Sequence, residues 1–236
     1  MINSWVFDAS RTMGKWDDFF ANLGYDEICG TYYPLGEASI KALKEYKLGI
    51  KYIRSHNVFT GSSGDNRGAR DAGCNIVSRD PVNPGILHFD WARVDRVYDV
   101  WINNGLIPYV ELGFMPPALT SAKLSKKNYW KYPPKNYDEW RILVRKFAQH
   151  LKERYPDIIH KFIWEIWNEP NPILGLRLGY FKGTIQEYCK LYDYSVAGLI
   201  DVFPDKNFMV GGPGQSFYYS SLMKKFLEHC SRSSNF

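Results

Sequence analysis

Short apolar runs that end in polar residues recur along this 236-residue chain, with longer amphipathic stretches between them. Residues 51–56, 107–113, 162–168 and 208–212 read as strands, and a weaker strand lies between 20 and 30. Strands that are apolar almost throughout belong to parallel sheets covered on both faces. The stretches between them repeat at helical spacing. Residues 37–46 put Ile40 and Leu43 on one side. Asp90 is placed to cap a helix that carries Val94, Val97, Tyr98 and Trp101 at i, i+3, i+4 and i+7 and stops at Gly105. Asp138 is placed to cap the next, with Leu143, Phe147 and Leu151 inward, and Thr184-Ile185-Gln186-Glu187 is a capping box. A last helix covers residues 220–230. Strand, helix, strand, helix is the pattern of a parallel sheet with crossover helices.

The polar groups gather just after strand ends: His56, Phe114 before Met115-Pro116, Asn168 with Glu169, and Gly212-Pro213-Gly214-Gln215. Function at the carboxyl ends of successive parallel strands marks a (β/α)8, TIM-barrel type of α/β fold. The most telling of these ends is Trp167-Asn168-Glu169-Pro170-Asn171, which follows the apolar run from Phe162. A carboxyl with apolar neighbours holds its proton above the roughly 4.3 of a free Glu. Such a group can hand a proton to a leaving group, so Glu169 is a candidate general acid. A Glu before Pro is also an ordinary surface-loop residue, and the apolar strand in front of it is what favours the chemical role.

Composition narrows the choices. Aromatic residues make up 17% of the chain, with 8 Trp and 17 Tyr, which suits a heavy core and also suits stacking on sugar rings. The net charge of +5 is spread among acidic residues, as around Lys41, Lys44, Glu45 and Lys47, so no nucleic-acid partner is expected. Cys29, Cys74, Cys189 and Cys230 include no C-x-x-C pair, and no metal site is indicated. No run approaches the roughly 18 apolar residues of a membrane span. The first residues show no basic start leading into an apolar segment, so the expectation is a cytoplasmic protein with reduced thiols. Gly61-Ser62-Ser63-Gly64 lacks the lysine of a phosphate loop, and residues 61–85 read as a polar loop over the strand-end face.

With these residues on the page, the chain resembles glycoside hydrolase family 39, which contains β-xylosidases and α-L-iduronidases. The resemblance is carried by residues 51–56, Val110-Glu111-Leu112-Gly113-Phe114-Met115-Pro116, Trp164-Glu165-Ile166-Trp167-Asn168-Glu169-Pro170-Asn171, Val210-Gly211-Gly212-Pro213 and Phe7-Asp8-Ala9-Ser10. It implies that Glu169 is the acid/base and Asn168 the amide that binds the sugar 2-hydroxyl. It implies that His56 and Phe114 line the glycone pocket, that Arg54 orients the nucleophile, and that Glu111 and Glu165 face the barrel interior. Arg54 and Glu111 could equally form a buried structural ion pair, and His56 and Phe114 could be structural. Water is the implied acceptor, the substrate a xyloside or related glycoside, and neither a metal nor an organic cofactor is required.

The chain departs from that pattern in one respect. Retaining hydrolysis needs a second carboxyl about 5–5.5 Å from the first. The acids after Asn171 are Glu187, Asp193, Asp201, Asp205 and Glu228, and none matches the family's nucleophile. Five candidate strands fall short of a barrel, which takes about 250 residues. The expectation is that residues 1–236 form the amino-terminal part of a single catalytic barrel domain, with open edges that favour self-association. The alternatives are a sugar-binding fragment without turnover and an iduronidase-like member, for which Arg67 and Arg70 on the long loop are weak candidates for the cation that would meet a sugar carboxylate. An inverting pair of Glu111 and Glu169 is disfavoured, because Glu111 points into the packed interior.

Overall fold

The computed structural model describes residues 8, 10–11, 14, 21–61, 73–126, 128–171 and 179–232. Its elements alternate as the sequence predicts: β1 (Asn22–Glu27), α1 (Pro34–Glu45), β2 (Tyr52–His56), β3 (Val77–Arg79), β4 (Leu87–Phe89), α2 (Ala92–Asn103), β5 (Ile107–Leu112), α3 (Tyr137–Arg154), β6 (Ile163–Ile166), α4 (Ile185–Ile200), β7 (Met209–Gly211) and α5 (Ser220–Arg232). Five strands form one sheet in the order β1-β2-β5-β6-β7, and every neighbouring pair is parallel. This is the incomplete (β/α)8 arrangement expected, with β1 and β7 as its two edges.

The register sorts the side chains onto two unlike faces. Tyr52 and Arg54 of β2 lie level with Ile107 and Tyr109 of β5, and Tyr109 and Glu111 lie level with Ile163 and Glu165 of β6. Residues one position on, Ile53, Val110, Leu112, Trp164 and Ile166, point the other way and are buried. That outer face is sealed by the helices. α2 contributes Val94, Val97, Tyr98 and Trp101, and α3 contributes Trp140, Leu143, Val144, Phe147, Ala148 and Leu151. Each fully buried apolar side chain contributes about 1.5–3 kcal/mol, so this layer is the main source of stability. The concave face is less well covered. Tyr52, Ile107, Tyr109 and Ile163 are half-buried there, and Met209 on the edge strand is 47% exposed.

Two local expectations need correction. Helix α3 is capped by Asn136, whose Oδ1 accepts the Asp138 amide at 2.9 Å; Asp138 sits inside the first turn, where its charge suits the helix dipole. Residues 73–85 are not a plain loop either, because β3 pairs antiparallel with β4. Asp80 organises the turn between them by accepting the amides of Val82 and Asn83, and it also contacts His88. Those bonds hold the Asp80 carboxyl down at about 2. Residues 62–72, with Arg67 and Arg70, lie outside the described residues, as do Phe7 and Ala9 of the Phe7-Asp8-Ala9-Ser10 element. The Thr184 capping box is present as predicted. All four cysteines are unbridged. Among the described residues no helix is long and apolar enough to cross a membrane.

The α3–α4 contact shows how closely the outer layer packs. Trp140 donates its indole N–H to Ser195 at 2.8 Å, and Arg141 grips Asp201 with two bonds of 2.7 and 2.8 Å. Gly198 makes the approach possible: a Cβ there would stand 2.9 Å from the Arg141 carbonyl and 3.1 Å from Val144 Cβ. Gly198→Ala gains up to about 1 kcal/mol of helix propensity but incurs about 1–3 kcal/mol of overpacking against backbone. The substitution is expected to lower stability by about 1–2 kcal/mol in urea unfolding, and a gain in stability would contradict this packing.

Candidate active site

The carboxyl ends of β2, β5 and β6 bring four of the six predicted site residues into one hydrogen-bonded cluster. Arg54 is its centre. Its Nε donates to Glu165 Oε2 at 2.6 Å, its Nη2 donates to Asn168 Oδ1 at 2.9 Å, and the same Nη2 lies 3.0 Å from Glu111 Oε2. Glu111 Oε2 also meets His56 Nδ1 at 2.6 Å. The period-2 register makes this possible, since Glu111 and Glu165 are cross-strand partners and Arg54 lies one step lower on the neighbouring strand.

Burial sets the electrostatics. The Glu165 carboxyl is pushed up chiefly by burial, against the pull of Arg54. Burial alone would lower Arg54, but Glu111 and Glu165 outweigh it and hold the guanidinium above its ordinary value. The Tyr109 phenol, one step below Glu111 on β5, is raised by burial and then by Glu165. Gly214 is required here, because a Cβ at that position would lie 2.2 Å from Glu165 Oε1, on a carboxylate that Arg54 holds through its other oxygen, Oε2.

Phe114 is buried at the end of β5, after a cis Gly113–Phe114 peptide. Its ring stacks on Tyr180 at 5.7 Å, meets Trp167 edge-on at 5.5 Å, touches Trp130 at 4.7 Å and lies 6.0 Å from His56. It therefore joins the cluster through His56 and an aromatic wall.

Glu169 is half-buried, next to Asn168. Its backbone and that of Trp167 are left-handed, with φ of 45° and 67°, which costs about 1–3 kcal/mol at a residue with a side chain. Three bonds hold the turn: Glu169 N–H to the Gly214 carbonyl at 2.7 Å, Tyr180 N–H to the Glu169 carbonyl at 3.3 Å, and the Trp167 indole to the Tyr180 carbonyl at 2.9 Å. Among the described residues the Glu169 carboxyl has no hydrogen-bond or ion-pair partner. Asn171, two residues on, exchanges hydrogen bonds with Ser216 and ties the loops after β6 and β7 together.

Sequence reasoning passed over Tyr180 and Trp130, which build the walls of the site, and marked Gly214 only as part of the strand-end element 212–215. Tyr180 stands in a loop well past the end of β6, and only the fold brings it close. Tyr109 was legible in principle, two residues before Glu111 on the same strand face. Among the described residues no group of three or more His, Cys, Asp or Glu is placed to hold a metal ion.

The sequence model of the family described as Glycosyl hydrolases family 39 matches residues 36–235. The chain belongs to this family. It is 32% identical over 208 residues to a beta-xylosidase of Caldicellulosiruptor saccharolyticus, covering 86% of this chain and 38% of that one. It is 31% identical over 193 residues to a beta-xylosidase of Geobacillus stearothermophilus, covering 80% and 35%. Among solved structures, a monomeric beta-xylosidase from Caulobacter crescentus CB15 superposes with a TM-score of 0.73 at 27% identity, over 95% of this chain and 42% of that one. The family 39 chain thus spans well under half the length of these relatives.

Removing the central cation tests the cluster. Arg54→Met leaves Glu111 and Glu165 buried without a guanidinium, a loss of about 3–5 kcal/mol at pH 7. Glu165 is already raised in the folded protein, so its contribution to stability is complete below the ordinary carboxylate pKa and fades as pH rises through the raised value. The substitution raises it further. The deficit of Arg54→Met in chemical denaturation should therefore shrink from pH 7 to pH 4; a deficit that is constant with pH would mean that the carboxylates do not depend on Arg54.

Proposed function

We propose that this chain carries the acid/base side of a retaining, β-xylosidase-like glycoside hydrolase. Glu169 protonates the departing glycosidic oxygen and then, as a carboxylate, takes a proton from the water that releases the sugar. Asn168 binds the sugar 2-hydroxyl, and His56 and Phe114 line the glycone pocket. Arg54 sets the direction of Asn168 and of the opposing carboxylate. The observation that carries this reading is the position of Glu169: an unpaired carboxyl on a strained strand-end turn, beside an amide held by Arg54. The names of the curated relatives favour a xyloside over other sugars.

On this reading none of the acids after Asn171 is free to serve as the attacking carboxylate. Glu187 closes a capping box, Asp193 pairs with His229, Asp201 pairs with Arg141, Glu228 stands on α5, and Asp205 lies in the turn before β7. Glu111 and Glu165 stand at strand ends but are bound to Arg54. Purified chain should bind xylobiose by calorimetry and turn over an aryl β-xyloside no faster than the uncatalysed background. Asn168→Ala should weaken binding about tenfold, the loss of one or two hydrogen bonds. Robust turnover would overturn the missing nucleophile, and the absence of sugar binding would overturn the pocket.

The two edge strands and the part-covered concave face support self-association of the chain as isolated. The mass measured by light scattering should rise with protein concentration. Replacing Met209, the most exposed apolar residue on that face, with Lys should suppress the rise; a monomer at all concentrations would refute it.

A further inference from the structure

Glu111 raises a problem that the pocket reading does not solve. Its side chain is wholly closed to solvent, so no sugar hydroxyl can reach it, yet it is a carboxylate at the end of a strand. Its Oε1 is buried with no hydrogen-bond partner. Its Oε2 does all the work, facing Arg54 Nη2 at 3.0 Å and His56 Nδ1 at 2.6 Å. An orphaned carboxylate oxygen is a standing cost to the fold, and apolar replacement of a buried ion pair is often neutral or stabilising. Packing alone therefore gives no reason for a glutamate here.

The reason lies in the imidazole. An oxygen that faces a guanidinium N–H is an acceptor, so the His56 nitrogen 2.6 Å from it must supply its own proton. That fixes the ring with hydrogen on Nδ1. Its Nε2 is then an acceptor in the neutral ring and a donor only in the imidazolium. A neutral histidine without such a partner exchanges between two tautomers that present opposite chemistry to a hydroxyl. We propose that Glu111 is a positioning residue: it locks His56 in the Nδ1-protonated form and braces Arg54, and it does not contact the sugar. The proposal rests on His56 lining the glycone pocket. It replaces a direct binding role for Glu111 with one exerted through two neighbours.

Long-range proton–nitrogen NMR of the histidine-labelled full chain reads the ring state directly, with His56 assigned by the signals lost in His56→Gln. The unsubstituted chain should show Nδ1-protonated His56 at neutral pH, and this measurement needs no variant to fold. In Glu111→Gln the pattern should move toward Nε2 protonation, because the carboxamide can donate where the carboxylate only accepts. Xylobiose affinity should fall about tenfold in Glu111→Gln and by a smaller factor, about threefold, when the same change is made in His56→Gln, where only the brace on Arg54 is left to lose. A His56 protonated on Nε2 in the unsubstituted chain, a ring pattern unchanged by Glu111→Gln, or equal losses in the two backgrounds would overturn the proposal. If His56→Gln alone left xylobiose affinity intact, the pocket reading would fail, and the ring state would still decide what Glu111 does.

Discussion

One guanidinium ties together three strand ends and the loop that carries Glu169. Arg54 starts on β2, reaches Glu111 on β5 and Glu165 on β6, and ends on the side-chain oxygen Oδ1 of Asn168. Glu111 and Glu165 are level with each other in the parallel register and Arg54 lies one step below them, so the cluster exists only if the strands are aligned as they are. A lysine could not replace it, because a single ammonium has no planar fork with which to meet acceptors on opposite sides. The cluster is a poor stabiliser in its own right, since taking two carboxylates out of water costs several kcal/mol each and one cation returns only part of that. Its value lies in direction: it fixes where Asn168 and His56 stand relative to Glu169.

This division of labour follows from the two faces of the sheet. The outer face is apolar, closed by α2, α3 and α4, and supplies the stability. The concave face can then hold groups that packing would exclude, charged at its carboxyl end and partly apolar below. The order along each strand shows the switch. In β5, Ile107 and Tyr109 give way to Glu111, and in β6, Ile163 gives way to Glu165. The charged groups lie within the last three residues of each strand and the turn after it, where backbone groups no longer needed by the ladder become available to the loops.

The parts of this arrangement that were legible in sequence are those set by local pattern. The apolar runs, the amphipathic stripe of α2, the Thr184 capping box and the Asn168-Glu169 turn each depend on residues within a few positions of one another. What stayed hidden depends on distance or on competition between neighbours. Asp138 and Asn136 are both good caps, and only the entry path of the chain chooses Asn136. Three-residue strands such as β3 carry too little alternation to register as a pattern, and this one is held by Asp80 and by Arg79 reaching Glu139 across 60 positions. The burial of Glu111 was visible as a residue facing the interior, but its unshared Oε1 and its bond to His56 were not, because both depend on how far the Phe114 wall closes over the strand end.

The strained turn after β6 joins the electrostatic argument to the chemical one. A left-handed glutamate persists only where its surroundings over-determine it, and here Gly214 and Tyr180 bond its backbone on both sides while the Trp167 indole holds the Tyr180 carbonyl. Asn168 lies between the two left-handed residues and is bridged to Gly214 in the loop after the edge strand, so it is held by Arg54 at the tip and by that loop at the base. Glu169 alone in this stretch keeps an unengaged side chain among the described residues. A fold that binds the neighbours of a carboxyl so thoroughly and leaves the carboxyl itself unbound has spent its local interactions on placement. That placement fits the role proposed for Glu169, since a proton donor already committed to a partner within the protein would have to break that bond before it could meet a leaving oxygen.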